Sequence, residues 1–158
     1  KGGLEVLSIF GLYIAVGAGV VSLLFAAGHA RRVLKEDQGT ETMRDIGQAI
    51  QEGAMAFLGR EYRTLAVFVL LVTIILAVSI GINTAISYVV GAVCSAATGF
   101  IGMNIAIRAN TRTAAASMIG LNDGLRVAFS SGAVMGVTVV GIGILGISLL
   151  YLIFQDYL

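Results

Sequence analysis

The stretch 64-TLAVFVLLVTIILAVSIGINTAISYVVGAVCSAATGFIGMNIAI-107 runs for 44 residues without an Asp, Glu, Lys, Arg or His. As one helix rising about 1.5 Å per residue it would extend about 66 Å, twice the ~30 Å hydrocarbon thickness of a bilayer. It therefore holds two membrane spans, with the break at Gly81-Ile82-Asn83-Thr84. Working outward, two further uncharged runs, Val6 to Ala30 and Val127 to Gln155, are each long enough to cross once. The reading is an all-α integral membrane protein with four transmembrane helices, at about residues 6–28, 64–81, 85–107 and 127–154, in a single transmembrane region covering 1–158.

Composition agrees. Apolar residues make up 58% of the chain and charged ones 12%, roughly half the charge of an average soluble domain, which excludes an ordinary cytosolic protein. A net charge of +1 gives no basic face for nucleic acid. With no Pro, one Cys and no low-complexity tract, disordered, collagenous and disulfide-rich classes are excluded as well.

The charges are concentrated. All but Lys1, Glu5 and Asp156 lie between Arg31 and Arg63 or between Arg108 and Arg126. The first connection has Arg31, Arg32, Lys35, Arg44, Arg60 and Arg63, the third has Arg108, Arg112 and Arg126, and the second has none. By the positive-inside rule the first and third face the cytoplasm, which leaves both termini on the outer side. Tyr62, Tyr88, Tyr151 and Tyr157 fall near span ends, as an aromatic belt would place them. A cleavable signal is the rival reading of the first span, but its apolar run is too long and Arg31-Arg32 follows as an anchor. The start at Lys1 reads as a fragment or a processed product.

Within the first connection Thr40 is an N-cap with Glu41 in the first turn. Met43, Ile46, Ile50, Ala54, Phe57 and Leu58 then recur at helical spacing, giving an amphipathic helix over about 41–63 that continues into the second span. Six acidic against six basic residues across this connection argue against a helix lying on anionic lipid. The 21 glycines suit close helix packing; Gly132 and Gly136 form G-x-x-x-G, and Gly91, Ser95 and Gly99 two small-x-x-x-small steps. Gly141-Ile142-Gly143-Ile144-Leu145-Gly146 matches the dinucleotide pattern but lies inside a span, without the strand and acidic partner that pattern needs.

No catalytic, cofactor-binding or metal-binding residue is assigned. His29 has no second ligand nearby, Cys94 has no activating base, and there is no phosphate loop or tight Asp cluster. The apolar cores contain Ser22, Thr73, Ser79, Ser95, Thr98, Asn104, Thr138 and Ser148 but no ionisable side chain, whereas ion pathways are marked by such residues. If the protein conducts or pumps an ion, these spans are its wall.

Three segments carry a family resemblance: Gly39-Thr40-Glu41-Thr42-Met43-Arg44-Asp45-Ile46 through Glu52-Gly53-Ala54-Met55-Ala56-Phe57-Leu58 and Arg60-Glu61-Tyr62; Gly99-Phe100-Ile101-Gly102-Met103 through Arg108-Ala109-Asn110-Thr111-Arg112-Thr113-Ala114; and Val127-Ala128-Phe129-Ser130-Ser131-Gly132-Ala133-Val134-Met135-Gly136. In content, order and spacing they resemble the N-terminal part of the membrane-bound, ion-translocating pyrophosphatases. The resemblance implies a homodimeric pump in a prokaryotic plasma membrane that hydrolyses Mg²⁺-pyrophosphate and moves H⁺ or Na⁺ out of the cytoplasm. It leaves a K⁺ requirement open. It further implies that these helices form the outer layer of a larger bundle, against the remaining helices of the same pump, and that the active site and its Mg²⁺ lie beyond this chain. Residues 1–158 alone are therefore expected to be inactive. The alternative is a self-contained four-helix membrane protein without catalysis, an assembly partner or small transporter subunit.

For Arg108 and Arg112, spaced i, i+4 at the end of the third span, the expected roles are snorkelling to lipid phosphates, complementing the helix C-terminus, and pairing with Asp123 across a short Ser117 to Asn122 turn. Steering of pyrophosphate is the sharper alternative.

Overall fold

The computed structural model describes the backbone of residues 2–154 and the side chains of residues 10–154. Lys1, Asp156, Tyr157 and the side chain of Glu5, named in the topology reading, lie outside the described residues. Four helices follow in order: α1 Gly2–Lys35, α2 Glu41–Ser79, α3 Ile82–Ile119 and α4 Leu121–Phe154. Each is long and apolar enough to cross a membrane.

The helices are longer than the apolar runs because charge alone does not end a helix. α1 continues through Arg31 and Arg32 to Lys35, and α3 continues beyond Ile107 through Arg108, Arg112 and the alanine-rich Thr113-Ala114-Ala115-Ala116. The third connection, expected as a turn over Ser117 to Asn122, contracts to Gly120 alone. The second contracts to Ile80 and Gly81, so Ile82, Asn83 and Thr84 belong to the first turn of α3 rather than to the break. Gly81 adopts φ +146°, a conformation that an L side chain rarely takes and glycine takes freely. The expected continuity of α2 is observed: Thr40 caps it, its hydroxyl oxygen accepting from the Met43 N–H at 3.4 Å, and the helix runs 39 residues unbroken.

α3 is the central element. It packs against α4, α2 and α1; α4 also packs along α1, while among the described residues α2 packs on α3 alone. One end of the bundle gathers the C-terminal part of α1, the N-terminal part of α2, the C-terminal part of α3 and the start of α4, and with them the arginines. At that charged end Val33, Ala109 and Val127 form a buried cluster, with Ala116 packed on it. Outside the hydrocarbon such burial is driven by water, at about 1.5–3 kcal/mol for a fully buried valine.

Inside the apolar segments lipid is as apolar as leucine, so close backbone approach replaces that drive. Glycine supplies it, in part at positions other than those the spacing singled out. Gly19 on α1 faces Gly141 on α4: a Cβ on Gly19 would stand 3.1 Å from the Gly141 carbonyl oxygen, and one on Gly141 would stand 3.2 Å from that of Gly19. Gly132 and Gly136 instead meet nothing within 4 Å, so the G-x-x-x-G seam expected there is not a contact among these helices. Gly91 is likewise open, and a Cβ on Gly99 would stand 3.2 Å from the Tyr62 hydroxyl. The i, i+4 repeat identifies a small-residue face without saying what lies opposite it.

Two details of α2 go beyond the sequence reading. Ile46, Ile50 and Phe57 of the amphipathic stripe are exposed at 56%, 44% and 60%, and the face of α2 turned to α3 runs through Met43, Gly47, Gln51, Met55 and Leu58. Gly47 marks a close approach of that face, since a Cβ there would collide with the side chain of Thr111 on α3. Tyr62, near the start of the second span, is tied to α3. Its hydroxyl donates to the Ala96 carbonyl oxygen at 2.9 Å and its ring lies 6.4 Å from that of Phe100, fastening α2 to α3.

Candidate functional site

The functional reading concentrates on the charged end, where the turn from α1 to α2 is built by local hydrogen bonding. Asp37 Oδ1 accepts from the Gly39 N–H at 3.1 Å, and Gly39 takes φ +82°. Arg44, one turn into α2, reaches back to Asp37 Oδ1 at 3.8 Å in an exposed pair, which contributes little to stability. The geometry delivers α2 onto α3 with Arg44, Gln48, Gln51, Glu52 and Met55 along one side.

Arg112 occupies the junction. Only 9% of it is exposed. Its Nη1 donates to the Arg108 carbonyl oxygen at 2.5 Å and its Nη2 to the Leu34 carbonyl oxygen at 3.2 Å, while Nε is buried without an acceptor. Leu34 lies in the last turn of α1, whose carbonyls have no helical partner and form the negative end of the helix dipole. The expected complement to a helix C-terminus is present, but the helix is α1 rather than Arg112's own. The expected snorkelling fails for this residue, which is buried in protein; Arg108 is exposed. Neither arginine pairs with Asp123 among the described residues, because α4 starts directly after Gly120 and holds Asp123 in its own first turn.

Between α2 and α3 these residues surround a hollow of about 510 Å³, with Arg44, Arg108 and Arg112 on its walls, Gln38, Gln48, Gln51 and Thr111 among its polar lining, and Met55 and Ile107 at its apolar side. Glu52 is the only carboxylate on that wall, and Gln48 Nε2 donates to its Oε1 at 3.0 Å. The sequence reading paired Arg108 with Arg112 but missed the contribution of α2. The signal was available: Arg44, Gln48, Gln51 and Met55 share one helical face, with Gly47 marking where that face meets a neighbour.

The other candidates remain apart. The His29 ring lies against Phe25, centroids 4.4 Å apart, with Nδ1 buried and unpartnered. Cys94 is half-buried beside α4, where a Cβ on Gly146 would stand 3.2 Å from its sulfur. Ser22, Thr73, Thr98 and Thr138 donate to carbonyls of their own helices, and Asn104 Nδ2 reaches Met55 Sδ at 4.0 Å across the α2–α3 seam. Among the described residues no three His, Cys, Asp or Glu side chains come together as a metal site. The arrangement can hold an anion; it has no carboxylate cluster to position a metal-activated water.

Comparison with known proteins agrees with the sequence resemblance. Residues 20–158 match the family model described as inorganic H⁺ pyrophosphatase. A Methanosarcina mazei protein named K⁺-insensitive pyrophosphate-energized proton pump is 42% identical over 147 residues, covering 92% of this chain and 22% of that protein. A Moorella thermoacetica protein, named K⁺-insensitive pyrophosphate-energized proton pump 2, is 44% identical over 142 residues, covering 89% of this chain and 21% of its own length. A Clostridium tetani protein whose name describes a K⁺-stimulated, pyrophosphate-energized sodium pump is 46% identical over 122 residues, covering 77% of this chain and 18% of that protein. The chain thus spans about a fifth of the length of the relatives it matches, and it belongs to the H⁺ pyrophosphatase family of membrane proteins.

Proposed function

We propose that these four helices form part of the outer wall of a pyrophosphate-energised H⁺ or Na⁺ pump, with residues 6–28, 64–81, 85–107 and 127–154 inside the bilayer. The observation that carries this reading is the family match over residues 20–158 in a chain whose apolar segments hold no ionisable side chain. A pathway for an ion needs such groups, and phosphoryl transfer needs carboxylates converging on Mg²⁺. Both therefore belong to parts of the pump outside these helices, and residues 1–158 alone are inactive. K⁺ acts, where it is required, in those same parts.

In this proposal the arginine-rich end faces the cytoplasm of a prokaryotic plasma membrane and both chain ends of the segment face outward. The outer side of α2, whose most apolar stretch is left unburied by the other helices, contacts lipid or the remaining helices of a homodimeric pump. The test is ion movement. Inverted membrane vesicles containing the protein expressed from its complete reading frame should acidify or accumulate Na⁺ when given Mg²⁺ and pyrophosphate, with the gradient collapsed by the matching ionophore. Vesicles that bind pyrophosphate but form no gradient would contradict the pump reading.

A further inference from the structure

Two hollows lie end to end along the α2–α3 seam. The arginine-lined chamber ends at Met55 and Ile107. A turn further along both helices, at Leu58 and Met103, an open and mostly apolar trough of about 1100 Å³ begins, with Glu61 near its mouth, and runs past Tyr62, Val69 and Ser95. A cationic chamber leading into an apolar trough has the polarity of a phospholipid, a charged head followed by an acyl chain.

The charge balance specifies the head. Three arginines face one carboxylate in the chamber, and that carboxylate, Glu52, is already engaged by Gln48. The Asp37 carboxylate stands at the rim, 3.8 Å from Arg44. Arg112 is the most consequential of the three, because its hydrogen-bond partners are the neutral carbonyls of Arg108 and Leu34 and its buried Nε has none. A guanidinium held that far from water without a carboxylate is costly until an anion approaches it. Arg108 directly follows the third span, and basic pockets between membrane helices at that headgroup level meet the need with lipid phosphate; with Arg44 beside it, α2 then enters the bilayer before Thr64.

We propose that an anionic phospholipid occupies the α2–α3 seam, its phosphate between Arg44 and Arg108 in the field of Arg112 and an acyl chain along the trough beside Ser95. This assignment requires that the helices span a membrane and is independent of pyrophosphate chemistry. A free phosphate would use the chamber alone, and a polypeptide helix would use the trough alone.

The experiment is native mass spectrometry of the complete protein, purified in detergent and offered phosphatidylglycerol or phosphatidylcholine with matched acyl chains. Phosphatidylglycerol adducts should persist to higher collision energy than phosphatidylcholine adducts. Arg44→Gln and Arg108→Gln should each lower phosphatidylglycerol retention about fivefold without changing phosphatidylcholine retention, and Arg44→Lys with Arg108→Lys should keep the preference. Ser95→Phe, which fills the trough and leaves the arginines intact, should lower retention of both lipids. Excess inorganic phosphate should leave the lipid in place. Equal retention of the two lipids, displacement by inorganic phosphate, or indifference to either the arginine or the Ser95 substitutions would overturn the proposal.

Discussion

The guanidinium of Arg112 donates to the carbonyl oxygen of Leu34 at 3.2 Å, joining the C-terminal part of α3 to the last turn of α1 across a sequence separation of 78 residues. That bond closes the charged end of the bundle beside the Val33, Ala109 and Val127 cluster. Replacing Arg112 by Leu leaves the Leu34 carbonyl without its charged donor and should cost on the order of 1–3 kcal/mol. Lysine keeps the charge but lacks the planar fork that bridges two carbonyls, so it should rescue only part of the loss. Arg108→Gln, at an exposed position, should stay within about 0.5 kcal/mol. Unfolding in mixed detergent micelles measures all three, and equal loss at positions 108 and 112 would remove the capping role.

The glycine contacts give a second, opposed pair of outcomes. Leucine at Gly141 must displace the backbone of α1 at Gly19, whereas leucine at Gly132 enters open space. The first should destabilise the four-helix unit by about 1–3 kcal/mol and the second by much less. The same unfolding assay applies. A comparable loss at Gly132 would mean that its face is covered by helices outside this segment.

Orientation is tested by labelling in a Cys94→Ser background. Gln38 and Asn83 are both exposed and lie at opposite ends of the bundle. In intact cells a cysteine at Asn83 should react with an impermeant thiol reagent, while one at Gln38 should react only after permeabilisation. Labelling at Gln38 from outside would invert the topology.

Much of the fold was readable because the bilayer imposes a length scale on uncharged runs, and the 44-residue stretch cannot satisfy it with one crossing. The Thr40 cap and the continuity of α2 were readable from local chemistry, through a hydroxyl before an acidic first turn and the lack of a breaker before Thr64. What escaped was pairwise. Gly132 and Gly136 have the same spacing as true contact glycines, yet Gly19 and Gly141 make the crossing, because contact depends on which faces of α1 and α4 are opposed. Arg112 reads as an interfacial arginine until Leu34, distant in sequence, arrives beside it. The α2 wall of the arginine chamber was hidden for a related reason, since the apolar residues Ile46, Ile50 and Phe57 drew the helix face away from Gly47 and Gln51.

In the proposed pump this chain supplies wall and not chemistry: the acidic residues at the charged end, Glu36, Asp37, Glu41, Asp45, Glu52, Glu61 and Asp123, are strung along helices and turns, and among the described residues no three metal-ligating side chains gather on one ion. The direct measurement is phosphate release from pyrophosphate with and without Mg²⁺, made on membranes holding residues 1–158 alone and on membranes holding the product of the complete reading frame. No release above background is expected from the first and Mg²⁺-dependent release from the second. Mg²⁺-dependent hydrolysis by residues 1–158 would contradict the wall role.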